Sequence, residues 1–417
     1  MKKNTNIIVA ACLLLYLFPT GSCNKKEALP INVIPVARTI GEYHILNLSD
    51  YAIDIKYIPL ETNDNVLLGG ITQIVYENEN ILICDRLPPN CYLFNNNGMF
   101  CRNIGQLGQG PEDYLSISNL SIFENLICLF DKTKLLIFDT AGNLIERNRV
   151  RSDEIQEIYS LHSAWCQMIH LKKDTYIMNG TTMFGTYPTA MLFERDQSEL
   201  ELIKEYPNYI TIDKVRGFLS PYELGIMYRF NDEVRIWKII NDTIFTIGRD
   251  TEIKDAFIFD FGKYKTTLAY IERKEGANDR DYRNNFITPL TICESLNHLF
   301  IRFDFGYQTP EPIEMIGRQY NYFQTYVHCV FDKRTGKLTL MLQPVKGKFG
   351  FNNDIDGGPV IWPLYISSEN ELVSVINPEE FMEYYAINKN PSAELTELAN
   401  KLKLDDNPIV IIAKLKQ

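Results

Sequence analysis

Ile81–Ile104 reads ILICDRLPPNCYLFNNNGMFCRNI, and Leu126–Val150 reads LICLFDKTKLLIFDTAGNLIERNRV. Both stretches run through an apolar strand ending in Asp, a polar break, a second strand, a Gly turn and a third strand. Phe94 and Gly98 map onto Phe138 and Gly142 at a spacing of 44, and Asp85 maps onto Asp131 at 46. A repeat of this length, built from strands and turns, is that of a propeller blade.

Outward from this pair the pattern weakens but continues. A third copy runs over about 162–206, with strands at Thr175–Asn179 and Ala190–Glu194. A fourth covers about 222–262, with Glu233–Ile240, Asp242–Ile247 and Ala256–Phe261. The fifth, about 288–341, holds His298–Phe303 and Tyr326–Phe331. These segments are apolar or alternating, rich in aromatic and β-branched residues, and bounded by Gly, Asn and Asp. The sixth copy has to be assembled from both ends of the chain. Asp54–Glu61 carries Pro59, which cannot donate to a ladder and so suits an outer edge; it is expected to pair with the strand in Asn407–Lys416. Val360–Tyr365 and Leu372–Ile376 would complete that sheet. The fold expected is all-β: a six-bladed β-propeller of four-stranded antiparallel blades, closed by N- and C-terminal strands, with short C-terminal helices. The helices fall in Asn377–Leu404, where Asn377 suits an N-cap, Pro378 the first helical position, and Glu379 and Glu380 the positive helix end. Lys263–Asn285 reads as an insertion between blades.

The N-terminus has a different character. Lys2 and Lys3 precede an apolar run, Ile7–Phe18, of 12 residues, shorter than the ~20 a spanning helix needs. Thr20-Gly21-Ser22-Cys23 follows. That architecture is a signal peptide's, and the placement of Cys23 resembles the lipobox of bacterial lipoproteins. Residues 1–22 then read as a lipoprotein signal peptide, with Cys23 the lipidated residue, 23–43 a linker and 44–417 the propeller, the alternative being an ordinary secretory signal with Cys23 incidental. Several acyl chains on one residue suffice for stable membrane anchoring.

Composition narrows the partners. The chain has 42 Lys and Arg against 53 Asp and Glu, a net charge of about −13 once Lys2 and Lys3 are set aside. It has no basic block, so nucleic acid is excluded as a partner. Seven cysteines follow Cys23, mostly inside apolar strands, and read as small buried hydrophobes; Cys91 and Cys101, flanking one hairpin, are the pair considered for a disulfide. There is no CxxC, and the histidines show no metal-ligand spacing, so zinc is not expected.

Propellers bind at the end of the channel formed by second-to-third strand connections and inter-blade loops. Asp85, Arg86 and Asp242 fall at such connections, where carboxylates and a guanidinium suit a polar ligand. An Asp at a strand exit equally holds a turn through the backbone. Gln106–Tyr114 is an inter-blade loop whose glycines permit positive φ and close approach, presenting Gln109, Glu112 and Tyr114. Asp354 and Asp356 before Gly357-Gly358 resemble a fragment of a calcium loop but lack its terminal Glu, so calcium is a possible cofactor and an Asp-Gly turn the default. Trp362 and Tyr114 are candidates for stacking on a sugar. No GxSxG elbow occurs, and adjacent acids such as Glu112 and Asp113 point apart on a strand. No catalytic residue is identified.

Tyr57–Thr62 (YIPLET), Arg102–Tyr114 (RNIGQLGQGPEDY), Asn241–Phe245 (NDTIF), Asn353–Gly358 (NDIDGG) and Asn407-Pro408 carry a family likeness. The chain resembles the six-bladed β-propeller lipoproteins of Gram-negative envelopes and, more distantly, NHL-repeat propellers. The resemblance implies fold and an envelope location and no reaction; Asn24-Lys25-Lys26, with no acidic run after Cys23, points to the outer membrane facing the periplasm. The function expected is a non-catalytic module binding a small polar ligand, glycan or peptide at the channel mouth. The rivals are a glycan hydrolase or lyase, and a scaffold subunit with an envelope protein partner.

Overall fold

The computed structural model describes residues 30, 32–86, 88–131, 134–150, 167–179, 189–207, 225–238, 241–267, 284–317, 321–388 and 391–417. The signal segment, Cys23 and most of Lys263–Asn285 lie outside them.

Ile71–Glu77, Asn80–Arg86, Pro89–Asn95 and Phe100–Asn103 pair in that order as an antiparallel sheet. Its first hairpin turns through Asn78 and Glu79, both at positive φ, and the next unit turns likewise through Glu124 and Asn125. Two consecutive left-handed residues make the tight turn whose twist matches the flanking strands. The strand pattern drives the rest: Ile81, Leu82, Ile83 and Phe94 are wholly buried, because each face of the sheet meets a neighbouring sheet.

The closing sheet runs Tyr365–Ile366, Glu371–Ile376, Ile409–Leu415, Ala52–Pro59. The N-terminal strand forms its outer edge, antiparallel to the C-terminal one, with Ile55 opposite Ala413 and Pro59 opposite Ile409. The inner strand is Tyr365–Ile366 rather than Val360–Tyr365. Ile361 and Trp362 instead cap the core from a loop, where Ile361 makes an isolated bridge to Phe351.

The pairing does not give six separate four-stranded sheets. Asn119–Phe123, Leu126–Asp131, Lys134–Asp139 and Leu144–Val150 share one eight-stranded sheet with Met168–Lys172, Thr175–Asn179, Ala190–Asp196 and Glu199–Tyr206. Their outer strands join in parallel at Arg149–Glu199 and Val150–Leu200. Two further four-stranded units, Ile226–Phe259 and Thr288–Met341, each gain a fifth strand. Val33–Ile34 pairs in parallel with Ile258 and Phe259, and Tyr43–His44 with Leu340 and Met341. From Asn32 onward the expected linker is thus built into the fold, and Ile34 and Val36 are fully buried. The architecture is an all-β, propeller-like fold of four-stranded antiparallel units with few helices.

Each hydrophobic cluster lies between two units. One joins the 71–103 and 119–150 units through Leu82, Cys84, Leu129 and Phe138. Another joins the closing sheet to the 71–103 unit through Ile58, Val410, Ile81 and Phe94. Two helices, Pro378–Ile387 and Ala393–Lys401, connect Glu371–Ile376 to Ile409–Leu415. Leu395 and Leu398 bury into the cluster beneath, with Leu402 packed beside them. Asn377 makes no side-chain cap; Ser392 caps the second helix, accepting from Leu395 N at 3.2 Å. Among the described residues no helix is long and apolar enough to cross a membrane.

Candidate ligand-binding site

Most of the expected acids hold the protein's own backbone. Asp85 is 3 % exposed; its oxygens accept from Gly69 N and Gly70 N, each at 2.8 Å, and from its own neighbour Arg86 N at 2.6 Å. The same position repeats. Asp131 accepts from Leu115 N at 2.9 Å and Ser116 Oγ at 3.1 Å, and Asn179 accepts from Gln167 N at 2.7 Å. In these three units a side chain at the exit of the second strand anchors the segment entering the first. A carboxylate with both oxygens so engaged keeps little capacity for a ligand.

The inter-blade loop is equally self-contained. Asp113 accepts from Gly110 N at 2.6 Å and Gln106 Nε2 at 2.8 Å. A Cβ on Gly108 would lie 2.3 Å from Asp113 Oδ2, so the glycine is required by this carboxylate, not by an approaching ligand or backbone. These bonds outweigh partial burial and lower the Asp113 pKa, with Gln106 the largest cause. Tyr114 is 1 % exposed, packed among Leu93, Leu120 and Phe138, with its hydroxyl accepting from Cys91 N at 3.2 Å. It is a core residue, not a stacking platform. Gln109, Glu112 and Arg86 are exposed. Asp242 forms an ion pair with Lys265 at 2.8 Å, both side chains over 40 % exposed.

Asp354 and Asp356 turn to different partners. Asp354 accepts from Ser49 N at 2.9 Å and Ser49 Oγ at 2.6 Å. Asp356 accepts from Gly358 N at 2.9 Å and the Tyr57 hydroxyl at 3.2 Å. Among the described residues no three His, Cys, Asp or Glu side chains gather as metal ligands.

Trp362 sits in a different setting from the one expected. Its ring is buried, stacked on Phe351 at 5.7 Å and edge-to-face with His328 at 4.4 Å and Phe300 at 6.0 Å. Both faces are spent on the core, so it is not a sugar platform. Its Nε1, however, has no hydrogen-bond partner among the described residues, and neither has His328 Nδ1 or Arg302 Nε. Arg302 and His328 stand directly opposite each other on adjacent strands. The Arg302 guanidinium lies over the Tyr326 ring at 5.2 Å, and His328 packs on Phe349 at 5.2 Å. Burial, and then the Arg302 charge, hold the His328 pKa well below its usual value, so the imidazole is neutral at pH 7. Arg302 finds no carboxylate among the described residues, which is unusual for a partly buried cation. Three buried nitrogens and an unmatched positive charge thus collect in an aromatic setting at the seam of the fifth unit and the closing sheet.

The strand repeat held a signal for this cluster. Counted from the hairpin turn, on the second-strand face that meets the next unit, stand Cys84, Phe130 and Trp237, all buried; in the fifth unit the same position is Arg302.

The opposite ends of the first strands carry two other networks that the motifs did not suggest. Glu294, at 1 % side-chain exposure, pairs with Arg235 at 3.1 Å and Lys333 at 2.9 Å and accepts from the Tyr228 hydroxyl at 3.0 Å. Glu77 accepts from the Tyr365 hydroxyl at 2.7 Å and Ser368 N at 2.9 Å. Both are fully partnered and read as structural.

The strand pairing and the site belong to the propeller-like class of all-β proteins. Residues 31–414 match the family model for a domain of unknown function, DUF4934, and the chain belongs to that family. In solved structures it is similar to a protein of Bacteroides fragilis NCTC 9343 described as exported, at 17% identity and a TM-score of 0.66, covering 92% of this chain and 100% of that one. It is also similar to a member of the DUF4221 family from Bacteroides vulgatus ATCC 8482, at 11% identity and a TM-score of 0.50, covering 90% and 99%. No curated protein matches the sequence.

Proposed function

We propose that the protein is a lipid-anchored, six-bladed propeller of a bacterial envelope that binds a small polar ligand, without catalysis, at the Arg302–His328–Trp362 cluster. The observation carrying the binding role is the convergence of three partnerless buried nitrogens beside a cation that has no carboxylate. A ligand bearing a carboxylate, such as an acidic sugar or a peptide terminus, would match the planar guanidinium and the N–H donors. Of the groups the sequence suggests, Asp85, Tyr114, Asp354 and Asp356 are engaged elsewhere and Asp242 is paired with Lys265; Arg86, Gln109 and Glu112 remain as outer contacts at the same end.

The six-blade count rests on treating the eight-stranded sheet as two antiparallel units joined at their outer edges. In support, the hydrophobic clusters follow one another around the units and return from the closing sheet to the first. The envelope location rests on the Lys2–Cys23 segment and on the likeness to a protein described as exported. A Cys23→Ser variant should leave the membrane fraction; retention there refutes lipidation at that thiol.

The binding test is calorimetry of the exported chain with uronic acids, neutral sugars and short peptides, free or amidated at the C-terminus. Carboxylate-bearing ligands should bind, and Arg302→Gln should weaken that binding at least tenfold. Equal binding of neutral and acidic ligands, or undiminished binding by Arg302→Gln, overturns the assignment. Turnover of any ligand would replace the binding role with an enzymatic one, and a stable co-purifying envelope protein with no ligand response would favour the scaffold.

A further inference from the structure

We infer that Cys84 and Cys91 are joined by a cross-strand disulfide in the exported protein. The two residues face each other on adjacent antiparallel strands, Asn80–Arg86 and Pro89–Asn95. The hydrogen bonds of Cys91 identify which kind of pair this is. Its carbonyl accepts from Ile104 N at 2.9 Å, and its N–H donates to the Tyr114 hydroxyl at 3.2 Å. Both polar groups therefore face away from Cys84, whose own carbonyl turns the other way to accept from Thr72 Oγ1 at 3.1 Å. A pair whose backbone groups all face outward is the non-hydrogen-bonded kind, in which Cα atoms approach to about 4.5 Å and side chains lie closest. That separation falls within the roughly 4.4–6.8 Å a disulfide spans.

The surroundings agree. Both thiols enter the same cluster, Cys84 at 2 % and Cys91 at 0 % exposure. Burial raises the Cys91 pKa, and the nearby Cys84 thiol raises it further. The other described cysteines have no such neighbour: Cys128 stands opposite Ser121 and Ile137, Cys293 opposite Phe300, and Cys329 opposite Ile301 and Leu340. Cys101 is exposed and falls at a register shift where Arg102 and Phe100 oppose Leu93 and Phe94, so it does not face Cys91.

Formation is thiol–disulfide exchange with a disulfide-bearing oxidant. One thiolate attacks the oxidant's S–S bond, and the second then displaces the oxidant from the mixed disulfide. Two S–H bonds become one S–S bond; two electrons and two protons pass to the oxidant, which leaves as two thiols. The exchange belongs to folding, before the 105–114 loop and the neighbouring unit cover the hairpin. Once covered, the bond is out of reach of soluble reductants.

The in vivo part rests on the export reading, so the test has two arms. In the first, full-length protein produced with its leader in a Gram-negative host is fractionated, denatured with an alkylating agent, digested with trypsin without reduction and weighed. The peptides ending at Arg86 and Arg102 should be joined, with Cys101 alkylated; Cys91→Ser should release them and Cys101→Ser should not. In the second, reduced and denatured protein is refolded in a mixture of oxidised and reduced glutathione and mapped in the same way. A link in the second arm but not in the first, with the protein found in the cytoplasm, sinks the export reading and keeps the geometry. Alkylation of both Cys84 and Cys91 in both arms overturns the disulfide.

Discussion

Replacing Asp85 separates an anchoring carboxylate from a ligand-binding one. Three backbone N–H groups donate to it, at 2.6–2.8 Å. A hydrogen bond to a charged acceptor is worth about 1.5–3 kcal/mol, and a buried donor left unpaired costs about 1–3 kcal/mol. Gly69 and Gly70 lie exposed, so water can replace part of what they lose, and Arg86 N bonds only to the side chain of the preceding residue. Discounting for these, Asp85→Ala should cost about 2–4 kcal/mol. Asp85→Asn keeps one acceptor oxygen but turns an NH2 towards a backbone donor, and should cost about half as much. Asp131→Ala should behave similarly, since Asp131 holds the corresponding entry segment. Asp242→Ala is the control: its ion pair with Lys265 is largely exposed and is worth about 1 kcal/mol or less. The assay is urea unfolding followed by far-ultraviolet circular dichroism, comparing midpoints at constant slope, beside calorimetry with whichever carboxylate ligand binds. An Asp85→Ala protein that unfolds at the wild-type midpoint yet loses ligand would refute the anchoring role and return Asp85 to the binding site.

Glu294→Gln strips the charge that matches Arg235 and Lys333 in a buried network, and should cost about 3–5 kcal/mol in the same unfolding assay. Gly98→Ala should be far more damaging than Gly142→Ala. Both have φ +80°, but a Cβ on Gly98 meets the Pro59 carbonyl oxygen at 2.1 Å, whereas on Gly142 it meets the flexible Arg102 side chain at 3.0 Å; comparable midpoints would contradict this. Acid should destabilise the fold below about pH 6.5. Burial is the largest cause lowering the pKa of His170, His298 and His328, so the unfolded chain takes up protons first. Their stabilisation is intact above the unfolded pKa and is lost as pH falls, by up to about 1.4 kcal/mol per pH unit for each histidine. Midpoints unchanged between pH 7.5 and 5.5 would refute it. Ending the chain at Asn407 removes the third strand of the closing sheet and leaves Ala52–Pro59 without its partner; the truncated protein should lack the cooperative unfolding of the full chain.

The strands were legible because their pattern is set locally. Ile81–Ile104 alternates between apolar runs and turn residues, and its Gly98 carries the positive φ that its turn needs. The outer strand at Pro59 was legible for a similar reason, since a residue without an N–H suits only an edge. Other pairings carried no local mark. Val33–Ile34 and Tyr43–His44 add two residues each to sheets more than 200 and nearly 300 residues away in sequence, which no periodicity records. Val360-Ile361-Trp362 looks like a strand because it is apolar, but its apolarity serves to cover the cluster over Phe300 and Phe351. Fusion of two units through Arg149 and Val150 likewise depends on outer edges that happen to meet.

The site was harder to read because repetition and function leave opposite traces. Asp85 is an acid at a ligand-facing turn, yet Asp131 and Asn179 hold the corresponding entry segments of their own units, and a role repeated in three units serves the fold they share. A ligand contacts the ring off its symmetry, so the group that recognises it should break the repeat. Arg302 does: a cation stands where Cys84, Phe130 and Trp237 fill the core, opposite a histidine and beside a tryptophan from a loop 60 residues further on. Replacing it with Ile puts an apolar side chain back at that position. If the charge exists for the fold, Arg302→Ile should destabilise the protein. If it exists for a ligand, the substitution should leave stability unchanged or raise it, as when a buried charge gives way to a packed apolar group, and abolish carboxylate binding. Midpoint and calorimetry on that one variant separate the two, and a less stable protein that still binds would remove Arg302 from the site.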